Sequence, residues 1–240
     1  LQPPQRRLHG LRYAGRVPRL WPDPEEVPRL GPGRTDRRAE DPAALKIINI
    51  VRTQSGFERE KLIRPFGFKG GYLTELWQVA SRMQSDSGIS RIGLATQSVL
   101  YGDSDLFPRQ SETEGNAMMY NLVNKALEHV KKTPFRTPLE LLDKILPAVI
   151  EDGRKITAKQ DLNINFVYNA LVGVDNAAWL TYAAENKFSS FEAMIPEPYK
   201  KALSHRNKKI AIMYQIPYGM PMEDLKNAVK QGYFVFKIKS

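Results

Sequence analysis

The sequence predicts an α+β domain followed by the first strands of a truncated (β/α) barrel. Three observations point there. Residues 46–99 read as strand-like runs separated by turn signals. Residues 116–185 place apolar side chains at helical spacing in three successive segments. Residues 208–240 then read as strand, helix, strand, an order that is almost always a right-handed parallel crossover. Strands, then helices, then a βαβ unit make an α+β domain that leads into an α/β one.

Composition narrows the function classes. At 240 residues and 42% hydrophobic content, the chain has enough apolar material for one or two domains. It has no cysteine, which excludes a disulfide framework, a thiolate metal site and a thiolate nucleophile, and fits a reducing, cytoplasmic location. No apolar run approaches the length of a membrane span and no signal peptide opens the chain, so no membrane partner is expected. A net charge of +10 raises the question of nucleic acid. The lysines and arginines are spread without a dense basic block, so a solvated basic surface that attracts anionic substrates is the favoured reading.

Residues 1–45 differ from the rest: they hold nine of the 18 arginines, none of the 18 lysines and eight of the 17 prolines. Proline and charge at this density do not build a packed core, so this stretch reads as a disordered or non-native leader. Leu1 in place of a methionine and Ser240 directly after a strand suggest a chain cut at both ends.

Residues 46–53 (KIINIVRT) read as a strand. Residues 54–72 are long, glycine-bearing and aromatic, as mobile binding loops often are, and Phe66, Phe68 and Tyr72 are its candidate substrate contacts. An ordinary surface loop anchored by two phenylalanines fits the same residues. Residues 74–84 fit a helix or a strand. The turn signal Asp86-Ser87-Gly88 and the strand-like residues 92–99 favour a β-hairpin. Asp103 and Asp105 alternate as in a calcium loop, but the glycine and glutamate that should follow are missing, so both read as turn formers.

Three helices are expected next, over residues 116–131, 138–150 and about 165–185. Pro138 suits a first turn, and Pro147 is expected to kink or end its helix early. Val167, Leu171, Val174, Ala178 and Tyr182 share a face of the third. Residues 190–194 and 199–203 read as short helical pieces. His9, His129 and His205 have no second histidine or carboxylate at ligand spacing, so neither a metal nor a base role is expected of them.

The C-terminal unit carries the candidate chemistry. Residues 208–216 (KKIAIMYQI) read as a strand, residues 222–230 as a helix, and residues 233–240 (YFVFKIKS) as a buried strand. Alternation puts Tyr233, Val235, Lys237 and Lys239 on one face, so two ammonium groups leave the C-terminal end of that strand on the same side. In a parallel barrel, that end is where chemistry is done. Two lysines that merely keep a strand end soluble fit the residues too.

Three stretches resemble the enolase superfamily, in particular its mandelate racemase and muconate-lactonizing enzyme branch. Ser85-Asp86-Ser87-Gly88 with Ile92-Gly93-Leu94-Ala95 looks like that family's second and third capping-domain strands. Val174-Asp175-Asn176-Ala177-Ala178-Trp179 looks like its long-helix signature, although Leu180 stands where the family often has aspartate. Phe236-Lys237-Ile238-Lys239 looks like its Lys-x-Lys motif at the end of the second barrel strand. The resemblance covers about residues 46–240 and implies an α+β capping domain over 46–205 and the opening of a TIM-type barrel over 206–240.

The resemblance also implies Mg²⁺-assisted removal of a proton α to a carboxylate, as in racemases, epimerases, cycloisomerases and acid-sugar dehydratases. Lys239 would be the base, and Lys237 would help lower its pKa and hold the substrate carboxylate. The partner would be a small carboxylate substrate, and the full-length protein a homo-oligomer. The family takes its metal-binding carboxylates from the third, fourth and fifth barrel strands. Those ligands are therefore expected beyond residue 240, no metal ligand is assigned within the chain, and the chain is expected to be inactive alone. A non-catalytic binding module that retains the capping domain, or a basic nucleic-acid binder, are the alternatives.

Overall fold

Seven side chains in strict alternation (Leu73, Glu75, Trp77, Val79, Ser81, Met83 and Ser85) are buried along one strand, which is the period-two signature of a sheet with one covered face. That strand is β2 (Gly71–Ser85) of a three-stranded antiparallel sheet with β1 (Ile50–Phe68) and β3 (Ser90–Gln97), in the order β1-β2-β3. The computed structural model describes residues 45–68 and 71–239, and the side chain of Phe68 is not described. Apart from Leu45, the leader expected over residues 1–45 lies outside the described residues, as does His9.

The expected loop over residues 54–72 is strand instead in its described parts, 54–68 and 71–72. β1 pairs with β2 from Ile50 opposite Ser85 to Phe68 opposite Gly71. Its polarity is that of an edge strand, whose charges find partners across the ladder. Arg59 donates to Glu75 through Nε at 3.0 Å, and Gln78 donates to Glu60 at 2.8 Å. The ladder breaks between Lys61 and Phe66, where four β1 residues face one β2 residue. This bulge swings residues 62–65 off the sheet. The β2–β3 hairpin forms as expected, with Gly88 at φ +89°, a conformation that favours glycine.

A short helix α1 (Val99–Gly102) and a 3-10 turn (Phe107–Arg109) lead to three long helices: α2 (Glu112–Val130), α3 (Pro138–Thr157) and α4 (Ile164–Glu185). α2 opens with a capping box: Ser111 Oγ accepts from Glu114 N, and the Glu114 carboxylate accepts from Ser111 N. α3 has Thr137 as N-cap and Pro138 in its first turn. Pro147 does not end α3, which continues to Thr157. Pro147 is exposed, so the carbonyl that its missing N–H leaves unpaired can turn to water.

α4 packs on the covered face of the sheet. A Cβ on Gly93 would lie 2.1 Å from the Gly173 carbonyl oxygen and 2.3 Å from Ala177 N, so the two backbones touch where glycine stands in both elements. Val167, Leu171, Val174, Ala178 and Tyr182 are all buried there. α2 and α3 complete the core with Met119, Leu122, Ala126, Leu141, Ile145 and Val149.

His129 does have a carboxylate partner, contrary to expectation: its Nε2 is 2.7 Å from Asp152 Oδ2. The pair joins α2 to α3 across 23 residues, and spacing along one helix cannot reveal it.

Two short helices, α5 (Phe191–Met194) and α6 (Glu197–Lys200), precede the C-terminal unit. There, β4 (Met213–Ile216), α7 (Met222–Lys230) and β5 (Val235–Ile238) form a parallel βαβ crossover. Only the last four residues of the expected 208–216 strand pair. The chain before them, including Ile210 and Ile212, is exposed and has no neighbouring strand among the described residues. β5 likewise stops at Ile238, so Lys239 lies just past it.

Candidate functional site at the ends of the parallel strands

The two lysines leave the sheet at its C-terminal end. Lys237 pairs with Gln215 in the β4–β5 ladder, and Lys239 N donates to Ile216 O at 3.0 Å. Their side chains are two residues apart and so project to the same face. Lys237 is exposed and Lys239 half-buried. Tyr214 opposes Phe236 in the ladder, with ring centroids 6.1 Å apart, and it also meets Tyr233, just before β5, at 5.0 Å.

Directly after β4 comes Pro217-Tyr218-Gly219, where Gly219 has φ +68°. The far end of the β1–β2 hairpin rests on this loop. A Cβ on Gly67 would lie 2.6 Å from Tyr218 Cβ, and the Tyr72 ring stands edge-on to the Tyr218 ring at 6.4 Å. The β1 bulge carries Arg64 out to Asp224 in the first turn of α7, with Nη1 to Oδ2 at 3.2 Å. Both groups are exposed, so the ion pair contributes about 1 kcal/mol or less and serves chiefly to orient the hairpin.

Of the residues singled out from sequence, Tyr72 and Phe66 lie at this hairpin end. Phe66 pairs with Leu73 and Gly67 with Tyr72. Phe68 pairs with Gly71 through its backbone. Tyr218, Arg64 and Asp224 were missed. A signal existed for Tyr218, an aromatic directly after a strand and inside a Pro/Gly turn. None exists for Arg64 and Asp224, which are 160 residues apart.

Asp103 shows what the remaining acidic candidates do. Its side chain accepts from Asp105 N and Leu106 N, both at 3.0 Å, and from Asn163 N at 3.0 Å, while Lys159 Nζ is 3.2 Å away. It closes a turn, as its spacing suggested, and also anchors the start of α4. Among the described residues, no group of three or more histidines, aspartates or glutamates gathers to hold a metal ion. The C-terminal end of β4 and β5 offers two ammonium groups, which in their protonated form cannot ligate a cation. The described residues therefore do not by themselves fit a magnesium site.

No family model matches the chain, and no curated protein matches it. Solved structures do. A Listeria innocua member of the enolase superfamily superposes with a TM-score of 0.50 at 17% identity, over 80% of this chain and 44% of that one. An L-talarate/galactarate dehydratase from Salmonella typhimurium gives 0.48 at 14% identity, over 88% and 47%. A dipeptide epimerase from Enterococcus faecalis, complexed with Mg and L-Leu-L-Tyr, gives 0.47 at 14% identity, over 81% and 46%. The chain thus spans less than half of each of these structures. The resemblance to the enolase superfamily holds at the level of fold, carried by the Listeria structure. Among the described residues, no helix is long and apolar enough to cross a membrane.

Proposed function

We propose that residues 46–205 are the capping domain, and residues 206–240 the opening of the barrel, of a Mg²⁺-dependent enzyme that removes the proton α to a carboxylate. One observation supports this above others: Lys237 and Lys239 stand at the C-terminal end of a parallel strand pair whose adjoining loop is held by the β1–β2 hairpin.

In this reading Lys239 is the base. Its neutral amine takes the α-proton, and the C–H electron pair moves into the carboxyl group to give an enolate. A lysine that does this must be neutral at working pH, and a second cation two residues away favours that form. Lys237 supplies that charge and holds the substrate carboxylate. Magnesium, if held by carboxylates outside the described residues, would supply charge stabilisation to the carboxyl group as the proton leaves. No carboxylate cluster that would hold it gathers among the described residues. Phe66, Phe68 and Tyr72 are the candidate contacts for a substrate with an apolar portion. The protein acts as a homo-oligomer in the cytoplasm.

The test is α-proton exchange in D₂O with Mg²⁺, using a longer protein that carries these residues together with its later strands. The substrates are a panel of dipeptides and sugar diacids. Lys239→Met should abolish deuterium incorporation, and Lys237→Met should reduce it. Exchange that survives Lys239→Met would remove Lys239 from the base role.

A further inference from the structure

A second concavity lies along α4, beside Asn176, whose Nδ2 donates to Leu94 O of β3 at 2.9 Å. It is a groove of about 520 Å³ between α4 and the α5–α6 segment. Its wall is apolar and aromatic, with Trp179, Phe191, Pro196, Tyr199 and Leu203. Phe191, Tyr199 and Leu203 are exposed, at 55%, 49% and 46%, which leaves an open apolar surface of a kind that usually has a partner. A single acidic side chain, Asp175, lies in this wall. Burial pushes its carboxyl up, and the hydrogen bond from Trp179, one turn along α4, opposes that shift only in part. No ion pair with Asp175 is formed among the described residues. A cation brought to this carboxylate would offset its desolvation.

The chain contains a sequence of matching chemistry. Val17-Pro18-Arg19-Leu20 recurs ten residues later as Val27-Pro28-Arg29-Leu30. Each copy offers two apolar side chains, a proline and one guanidinium. Aromatic-lined grooves recognise proline-bearing segments because proline limits the entropy lost on binding, and guanidinium groups pair with carboxylates and stack on indole rings. The point of entry is also close. Lys46 N donates to Asn186 Oδ1 at 3.2 Å, and Lys46 Nζ is 3.6 Å from Glu185, both at the C-terminal end of α4. Trp179 lies seven residues earlier on that helix, about 10 Å away. The 15 residues from Leu30 to Leu45 reach up to roughly 50 Å, so the span is not limiting. A tether of that length gives an effective concentration on the order of millimolar.

We propose that the groove between α4 and the α5–α6 segment is a docking site for this chain's own Val27-Pro28-Arg29-Leu30 segment, with Arg29 paired to Asp175 and Pro28 and Leu30 against Trp179 and Tyr199. This proposal does not depend on the lysine chemistry.

The chain lacks cysteine, so two labels can be placed without background. The full 240-residue chain carrying Gly31→Cys and Glu197→Cys is labelled with nitroxides and measured by double electron–electron resonance, diluted into unlabelled chain. Docking gives one narrow, short distance population. Asp175→Asn and Arg29→Ala each convert it to a broad one, with circular dichroism unchanged. Arg29→Ala lies outside the described fold, so it keeps the test sound if Asp175→Asn disturbs α4. A broad distribution in the unsubstituted background overturns the proposal. So does a short distance that survives both substitutions, which would place the segment elsewhere. A short distance lost on dilution overturns it too, since the occupant would then come from a second copy.

Discussion

Gly67 and Tyr218 touch so closely that no side chain fits between them: a Cβ on Gly67 would fall 2.6 Å from Tyr218 Cβ and 2.8 Å from its ring. This contact ties the end of the antiparallel hairpin to the loop that follows the first parallel strand. It joins residues 151 positions apart in sequence. Gly67→Ala should force the Tyr218 loop away, because the obstructing atoms lie near the tyrosine backbone and not at a flexible tip. Hydrogen exchange over residues 64–73 and 217–220 should quicken roughly tenfold, with little change in the helical core. Unchanged exchange in both segments would show that the hairpin end and the loop are independent.

Gly93→Ala should be far more damaging than Gly173→Ala. The first places a methyl group 2.1 Å from a backbone oxygen of α4; the second meets Ser81 Oγ at 3.3 Å, Ala95 Cβ at 3.4 Å and Gly93 O at 3.6 Å. Overpacking against rigid backbone costs about 3 kcal/mol, whereas the second contact needs a shift of a few tenths of an ångström. Urea denaturation of the two variants should show the order directly. Equal loss in both would mean that α4 slides freely on the sheet.

The acid limb of stability should depend on Asp103. Burial raises its pKa, but the N–H groups of Asn163 and Leu106, the Lys159 ammonium and the N–H of Asp105 together outweigh that and hold it below the usual carboxylate range. The folded protein therefore binds fewer protons at this site than the unfolded chain. The stabilisation is complete above the unfolded-state pKa and is lost as pH falls through the folded-state value. Asp103→Asn should lower Tm by roughly 5 °C at neutral pH, and the gap to the parent should narrow steadily under acid. A gap that stays constant down to low pH would assign the loss to packing alone.

Much of this fold could be read from the residues, because the periods are clean where one face is covered. α4 keeps its apolar side chains in register from Val167 to Tyr182, whereas residues 74–84 of β2, with Glu75 and Ser81 on the covered face, fit a helix as well as a strand until the Asp86-Ser87-Gly88 turn decides for a hairpin. β1 beyond Thr53 was hidden for the opposite reason. It is an edge strand whose Glu60 and Arg59 find partners on β2, so its polarity mimics a loop until the pairing is known. Pro147 misled because a local rule about missing N–H groups ignores which side of the helix faces water. The Lys237 and Lys239 pair was visible as a motif. The Tyr218 loop and the Arg64–Asp224 contact that frame it arise from packing between distant segments, which no short window contains.

Lys239 is proposed to remove a proton from the carbon beside a carboxylate. The most direct measurement follows deuterium entering that carbon from D₂O, by mass spectrometry, in the longer Mg²⁺-supplied protein and in its Lys239→Met and Lys237→Met variants. Neutral general bases of this kind contribute about 10²–10⁴-fold, so the account predicts a loss of at least that size for Lys239→Met with substrate binding retained, and a smaller loss for Lys237→Met. Undiminished deuterium incorporation in Lys239→Met would contradict it.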